Sequence, residues 1–429
     1  MNKKALIITY YWPPSGGGGV QRWLKFAKYL PQFGWQPIVV SPENPDYPTV
    51  DQSLLKDIPA GIEEIKIPIW EPYKLFKVLS GKKKQEKVNT GILQNEGKKS
   101  AVLRLALWLR GNLLIPDPRV FWVRPAFQEL KKRIEILKPD VIITTGPPHS
   151  VHLIGLKLHR KFGVKWIADF RDPWSTIDYL DWFKPSALAK NRQRSLEKRV
   201  LTEASSVLTV SENWADELRQ LGAHSVRVIT NGFDEADFQQ KEPVSSSGDF
   251  VLLHAGIITS FRNPSGLWKA LDQLCQNDDV IASRFRLRLI GNVDEQVKKE
   301  ISALSVLSQR TEFVGYLSHD KVIGEYRKAS MLLLLMNQSH NAAGHIPGKF
   351  FEYLAAGKPV LGLGDRNGDV ARILEETKAG RVFASGEMGK VRSFIEMSEA
   401  DPKSIRSDNA ARFTRRQLSS DLAKLLDSL

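Results

Sequence analysis

The stretch ALIITYYWPPSGGGGVQRWLKFAKYL, Ala5 to Leu30, decides how the chain is read. Ala5 to Tyr10 is apolar and β-prone, and the run breaks at Pro13-Pro14, where a turn is expected. The tetraglycine Gly16 to Gly19 comes next. From Val20 the apolar residues Val20, Trp23, Leu24, Ala27 and Leu30 recur at helical spacing, with Gln21, Arg22, Lys25 and Lys28 expected to face outward. A strand, a glycine loop and a helix therefore open the first domain. Lys3 and Lys4 ahead of an apolar run would also suit a signal peptide, but the prolines interrupt it and no small-residue cleavage site follows.

Working outward, short β-rich runs alternate with helical patterns: Pro37 to Ser41, Ile62 to Ile69, Asp140 to Thr145, Lys165 to Phe170, Val207 to Ser211 and Arg227 to Asn231. Such alternation marks a parallel sheet covered on both faces. The polar segment QQKEPVSSSGD, 239–249, has a linker's composition. A second series follows it: Phe250 to Ile257, Phe285 to Gly291, Thr311 to Tyr316, Met331 to Met336 and Lys358 to Gly364. Two doubly wound α/β domains are expected, 1–238 and 250–429, with the last helix free to pack back on the first domain.

Bulk properties fit two globular cores: 429 residues, 42% hydrophobic and 26% charged. Cys275 is the single cysteine, so no internal disulfide can form, which suits a reducing compartment and makes the cytoplasm the default. No run of about eighteen apolar residues occurs, so no membrane-spanning segment is expected. The net charge of +14 is concentrated: between Lys74 and Arg110 stand ten Lys or Arg against two Glu. Cations beside Leu105, Trp108 and Leu109 suit peripheral attachment to an anionic membrane, here the inner face of the cell membrane, and equally suit a solvated loop leading into a buried helix. Nucleic acid is disfavoured, since the aromatics are not interleaved with the cations.

Open parallel sheets bind ligands beyond the carboxyl ends of their strands, which directs attention to the residues just after each strand. Gly17 and Gly18 leave bare backbone at the start of a helix, suited to an anion. A nicotinamide cofactor is disfavoured, because the third glycine of the fingerprint is missing and Ser41, not an acid, ends the second strand. His149 follows one strand, and Asp169, Arg171 and Asp172 follow the next. In the second half Arg262 follows strand 250–257, and HIPGKFFEYLAAGKPV, 345–360, places Lys349 and Glu352 on a helix that leads into another strand. Glu352 sits among apolar residues and needs a partner if buried.

The run KFFEYLAAGKPVL resembles the donor-site signature of retaining glycosyltransferases of family 4, in the GT-B superfamily. YYWPPSGGGGVQR resembles that family's N-terminal glycine loop, VLTVSE and VITNGFD its last N-domain strands, and HAGIITSFRNPSGLWKAL and TEFVGYLSHDKVIGEY its C-domain elements. The resemblance implies two Rossmann-like doubly wound domains facing across a cleft, the first for the acceptor and the second for a UDP- or GDP-linked sugar. It implies Glu352 on the ribose hydroxyls, Arg262 on the diphosphate with Gly17 and Gly18 facing it, and His149 beside the transferred sugar. Asp169, Arg171 and Asp172 fall on the acceptor side. No metal and no cofactor are expected, and the acceptor implied is a saccharide or lipid-linked saccharide of surface polysaccharide, lipopolysaccharide or glycolipid synthesis.

The chain departs from the pattern in two respects, a missing glutamate and an altered pair of cations. Gly344 stands where the family usually has a second glutamate, and Ile257 where an arginine is common, with Arg262 at a position often held by lysine. His340, Asn341, His345 and Lys349 are candidates to compensate, with Lys349 counted beside His149 and Arg262 in the catalytic set. The competing readings are a nucleotide-sugar epimerase of the same fold and a non-enzymatic basic binding protein.

Overall fold

The computed structural model describes residues 3–72, 101–239, 248–337, 342–401, 405 and 408–429. They form two compact units, Met1–Thr230 with Arg415–Leu429, and Asn231–Thr414. The division falls ahead of the expected linker, most of which lies outside the described residues.

In the first unit the order is β1 (Lys3–Ile8), α1 (Gly18–Tyr29), β2 (Trp35–Pro42), β3 (Glu63–Ile67), α2 (Ala101–Asn112), α3 (Val120–Leu137), β4 (Val141–Gly146), α4 (Ser150–Phe162), β5 (Lys165–Phe170), α5 (Ala187–Glu203), β6 (Ser206–Thr209), α6 (Glu212–Gln220) and β7 (Val226–Val228). The seven strands run in the order β3-β2-β1-β4-β5-β6-β7, and every pairing is parallel. Alternate residues supply the two faces, as a period of two requires. Leu6, Ile8 and Ile142 enter one core with Trp122, Ile154 and Trp166. Ala5, Ile7, Ile143 and Leu208 enter the other with Val20, Trp23 and Leu24 of α1. Leu418, Leu422 and Leu426 of the last helix belong to that second core.

The second unit runs β8 (Phe250–Ala255), α7 (Ser265–Asn277), α8 (Asp279–Arg284), β9 (Phe285–Ile290), α9 (Glu295–Ser302), α10 (Leu307–Arg310), β10 (Thr311–Gly315), α11 (His319–Lys328), β11 (Met331–Leu335), α12 (Gly348–Ala356), β12 (Val360–Leu363), α13 (Asp369–Thr377), β13 (Gly380–Phe383) and α14 (Met388–Ala400). The helix α15 (Arg415–Asp427) then rejoins the first unit. Its sheet is again all parallel, in the order β10-β9-β8-β11-β12-β13. The strand β13 has no counterpart among the sequence expectations. It is four residues long at the sheet edge and starts with Gly380 and Arg381, so only Val382 and Phe383 carry a strand-like signal.

On α1 the outward face expected from periodicity is corrected. Arg22 and Lys25 are both buried. Lys25 reaches Asp57 at 2.9 Å, while Arg22 pairs with the fully buried Asp169. Asp169 accepts hydrogen bonds from Arg22 Nε (3.3 Å) and Nη2 (3.1 Å), Trp23 Nε1 (2.6 Å) and Thr145 Oγ1 (2.9 Å). These bonds satisfy a charge that would otherwise be prohibitively costly so deep in the protein. The carboxylate thereby ties α1 to the ends of β4 and β5. Asp169→Ala should cost about 3 to 5 kcal/mol of unfolding free energy, because it strands the Arg22 charge. Urea denaturation of this variant is the check, and a loss below about 1 kcal/mol, the level of an exposed pair, would contradict this role.

Candidate functional site

Each sheet has one point where strand order reverses, between β1 and β4 in the first unit and between β8 and β11 in the second. Loops diverge there and leave a crevice at the carboxyl edge, the general ligand position in such sheets. The residues singled out by sequence gather at these two edges.

In the first unit Gly17, at φ 90°, precedes α1, a backbone setting that disfavours any side chain. Gly17 and Gly18 are exposed, and a Cβ on either would meet nothing within 4 Å. Their amides open the helix without side-chain cover. Arg171 knots this loop to the one after β4: it donates to Gly19 O (2.9 Å), Gly146 O (3.2 Å) and Pro147 O (2.6 Å). Its guanidinium thus orders backbone, and it packs close over Gly19, where a Cβ would fall 2.8 Å from Nη1. Asp172 lies half-buried in the adjoining loop, and Asp169, with no exposed surface, finds its partners within the protein.

His149 is buried and stacks on Trp174, with ring centroids 5.1 Å apart and planes 7° from parallel. Burial holds the ring neutral, well below the usual imidazole range, against the opposing effect of a backbone hydrogen bond at Pro173. Sequence reasoning missed His152, whose position one turn along α4 was the only available signal. Trp166 Nε1 donates to Thr144 Oγ1 at 2.8 Å, and that hydroxyl lies 2.9 Å from His152 Nδ1. The indole N–H is donor only, so the Thr144 hydroxyl accepts from it, and the same hydroxyl also faces Ile167 O at 3.5 Å. Burial pushes the His152 ring down to about 3.

In the second unit β8 ends in His254 and Ala255, Gly256 comes next, and Arg262 follows on an exposed turn. The helix α12 starts after Pro347, so Lys349 lies in its first turn and Glu352 one turn on. Lys349 Nζ donates to Ala255 O at 2.8 Å and lies 3.5 Å from His254 Nε2. Burial, reinforced by the charge of Arg262, pushes its ammonium down to about 7. Partial burial also lowers Arg262. The expected partner of Glu352 is supplied by α11: its carboxylate accepts from His319 Nε2 (3.1 Å) and Tyr326 Oη (3.3 Å). Glu352 in turn holds His319 above the usual imidazole range. Tyr353, on the inner side of α12, accepts from Ala255 N at 3.1 Å and locks the helix to β8.

The edge of the second sheet therefore brings together Arg262, Lys349 and Glu352, and adds His254, His319 and Tyr326. Gly344 is buried and His345 half-buried, while His340 and Asn341 lie outside the described residues. Among the described residues no group of three or more His, Cys, Asp or Glu is placed to hold a metal ion. Two cations and a partnered carboxylate at a helix N-terminus can hold an anion and a vicinal diol side by side.

The comparisons with known proteins agree in both halves. Residues 17–232 match the family model for a glycosyl transferase 4-like domain, and residues 235–412 match that of glycosyl transferases group 1. Comparison with curated proteins gives no match. Among solved structures the fold is similar to that of Anabaena Alr3699/HepE in complex with UDP and glucose, at 16% identity and TM-score 0.61, over 99% of each chain. It is similar to sucrose-phosphate synthase from Thermosynechococcus elongatus, at 15% identity and TM-score 0.59, over 99% of this chain and 98% of that one. A UDP-N-acetylglucosamine 2-epimerase shares the fold too, at 14% identity and TM-score 0.56, over 99% of this chain and 96% of that one. At such identities the likeness is one of fold, and the two sequence models decide between them: the chain belongs to the glycosyl transferase 4-like family and carries a group 1 glycosyl transferase domain in its second half.

Proposed function

We propose that the chain transfers a sugar, with retention of configuration and without a metal ion, from a UDP- or GDP-linked donor held on the second unit. The observation that carries this is the placement of Lys349 and Glu352 one turn apart on α12, with Arg262 close enough to depress Lys349. Glu352 suits the ribose diol, and the two cations suit the diphosphate whose charge grows as the glycosidic bond breaks. With those cations in place no metal or other cofactor is called on. The neighbour solved with UDP and glucose shares this fold and supports the same class of donor. On the first unit the open amides of Gly17 and Gly18 suit an anionic group, and His149 lies buried beside the same sheet edge. The acceptor, a saccharide or lipid-linked saccharide of surface polysaccharide, lipopolysaccharide or glycolipid synthesis, belongs to the first unit, near Arg171 and Asp172.

Such an acceptor is met at a bilayer, so we place the protein in the cytoplasm and peripherally on an anionic membrane through 74–110. Residues 74–100 lie outside the described residues, but on α2 Leu105 and Trp108 are exposed together with Arg104. Leu109 is half-buried and Arg110 packs over the Phe183 ring at 4.1 Å, so these two face the protein. No described helix is long and apolar enough to cross a membrane.

Glu352→Ala should weaken binding of the preferred donor from a nucleotide-sugar panel by about 2 to 4 kcal/mol in calorimetry, with the unfolding midpoint unchanged. Equal affinity would refute the donor site, and parallel loss of affinity and stability would make Glu352 a brace for α11. Arg262→Ala should lower kcat by about 10²-fold or more while the donor KM changes little. A change confined to KM, or activity abolished by chelator, would contradict the cationic mechanism. Replacing Leu105 and Trp108 with serine should reduce co-sedimentation with anionic vesicles and leave turnover of a soluble acceptor mimic intact; unchanged sedimentation would exclude α2 from the docking surface.

A further inference from the structure

His254 is buried in β8, yet its ring is pinned at both ends. Nδ1 lies 2.9 Å from Leu333 O on the neighbouring β11. A carbonyl can only accept, so Nδ1 carries the proton and Nε2 presents a lone pair. That lone pair faces Lys349 Nζ at 3.5 Å, and Ala255 O of the same strand takes another ammonium proton at 2.8 Å. Burial and the Lys349 charge keep the imidazole neutral. Three N–H bonds radiate from an ammonium; β8 receives two, and no acceptor among the described residues takes the third.

The backbone is shaped for this arrangement. A Cβ at Gly256 would stand 2.7 Å from Lys349 Nζ and 3.5 Å from His254 Nε2, and Gly256 has φ 143°, so only glycine lets the amine reach the strand end. Gly291 on the adjoining loop is equally constrained, since its Cβ would meet the Gly256 carbonyl oxygen at 2.5 Å. The charged groups acting on Lys349 are Arg262 from the turn after β8 and Glu352 on its own helix, of opposite effect. His254 is the neutral acceptor beside them.

We propose that His254 is a positioning residue for Lys349: its ring and the Ala255 carbonyl hold the ammonium at the end of β8 with one N–H turned to the diphosphate of the donor. The assignment of that ligand rests on the donor site proposed above, whereas the His254–Lys349 unit stands on geometry alone. Without His254 a desolvated amine beside Arg262 loses an acceptor, and its charge is retained less readily.

The test is competitive labelling of the intact protein with trace acetic anhydride, following Lys349 by mass spectrometry across pH. In the wild type its reactivity should rise with a midpoint near 7, as the free amine forms. His254→Asn keeps a donor for Leu333 O and removes the outer acceptor; His254→Gln places an oxygen where Nε2 stood. H254N should move the midpoint down by about one pH unit, the effect of one hydrogen bond to a charged group, and H254Q should restore it. A rise in H254N toward the ordinary lysine value, reversed in H254Q, would show the amine released to solvent and supports the same role. One midpoint in all three proteins, or an equal shift in both variants, overturns it. Separately, UDP or GDP should slow Lys349 labelling in the wild type. Failure of that protection with the H254N shift intact would refute the ligand and leave the positioning role standing.

Discussion

A carboxylate with no exposure to water, Asp169, fixes the geometry of the first unit. It stands at the carboxyl end of β5, and its partners come from β4 and from the first two turns of α1. Because Arg22 also donates to Thr230 O at 2.9 Å, the same network reaches the end of the unit's continuous segment. An ion pair buried this deeply adds little net stability, but any departure from the arrangement leaves a charge uncompensated. That asymmetry sets where α1 begins, and so where Gly17 and Gly18 lie open.

The second unit reaches a similar result with the opposite charge. Here a lysine, not a carboxylate, is carried out of water at a strand end, and β8 receives it with a carbonyl and a neutral imidazole instead of a counter-ion. The first arrangement is saturated and structural. In the second the acceptors on β8 carry only partial charges, and Arg262 adds a like charge nearby that Glu352 opposes. A desolvated cation of this kind has its complement in an arriving anion.

Local pattern was enough to read the architecture, because parallel strands buried on both faces are apolar runs that need no partner to be recognised. The edge strand β13 escaped, being short and started by a glycine whose role depends on the neighbouring Val360. Helical periodicity assigned Arg22 and Lys25 to solvent, and long-range pairing with Asp169 and Asp57 overrode it. The same limit applies to the sites. Arg262, Lys349 and Glu352 follow strands or sit in a recognisable run, whereas His254 lies inside a strand and reads as core. Its importance comes from Lys349, ninety-five residues away in sequence. His319 and Tyr326 are likewise visible only once α11 is seen to pack beside α12.

The two departures from the family pattern acquire a common physical sense on the proposed donor site. Gly344 is buried in a tight turn and brings no carboxylate, while Ile257, at 60% exposure, brings no cation to the end of β8. One acidic and one basic group of the family pattern are therefore missing together. Lys349 returns a cation from the helix side, to a place where the bare Gly256 backbone gives it room. Its carrier is a helix locked to β8 through the Tyr353 hydroxyl, so the ammonium is held by rigid elements on both sides. A charge fixed in advance needs no reorganisation when the diphosphate develops its own, which is the condition under which a desolvated cation contributes most to a transition state.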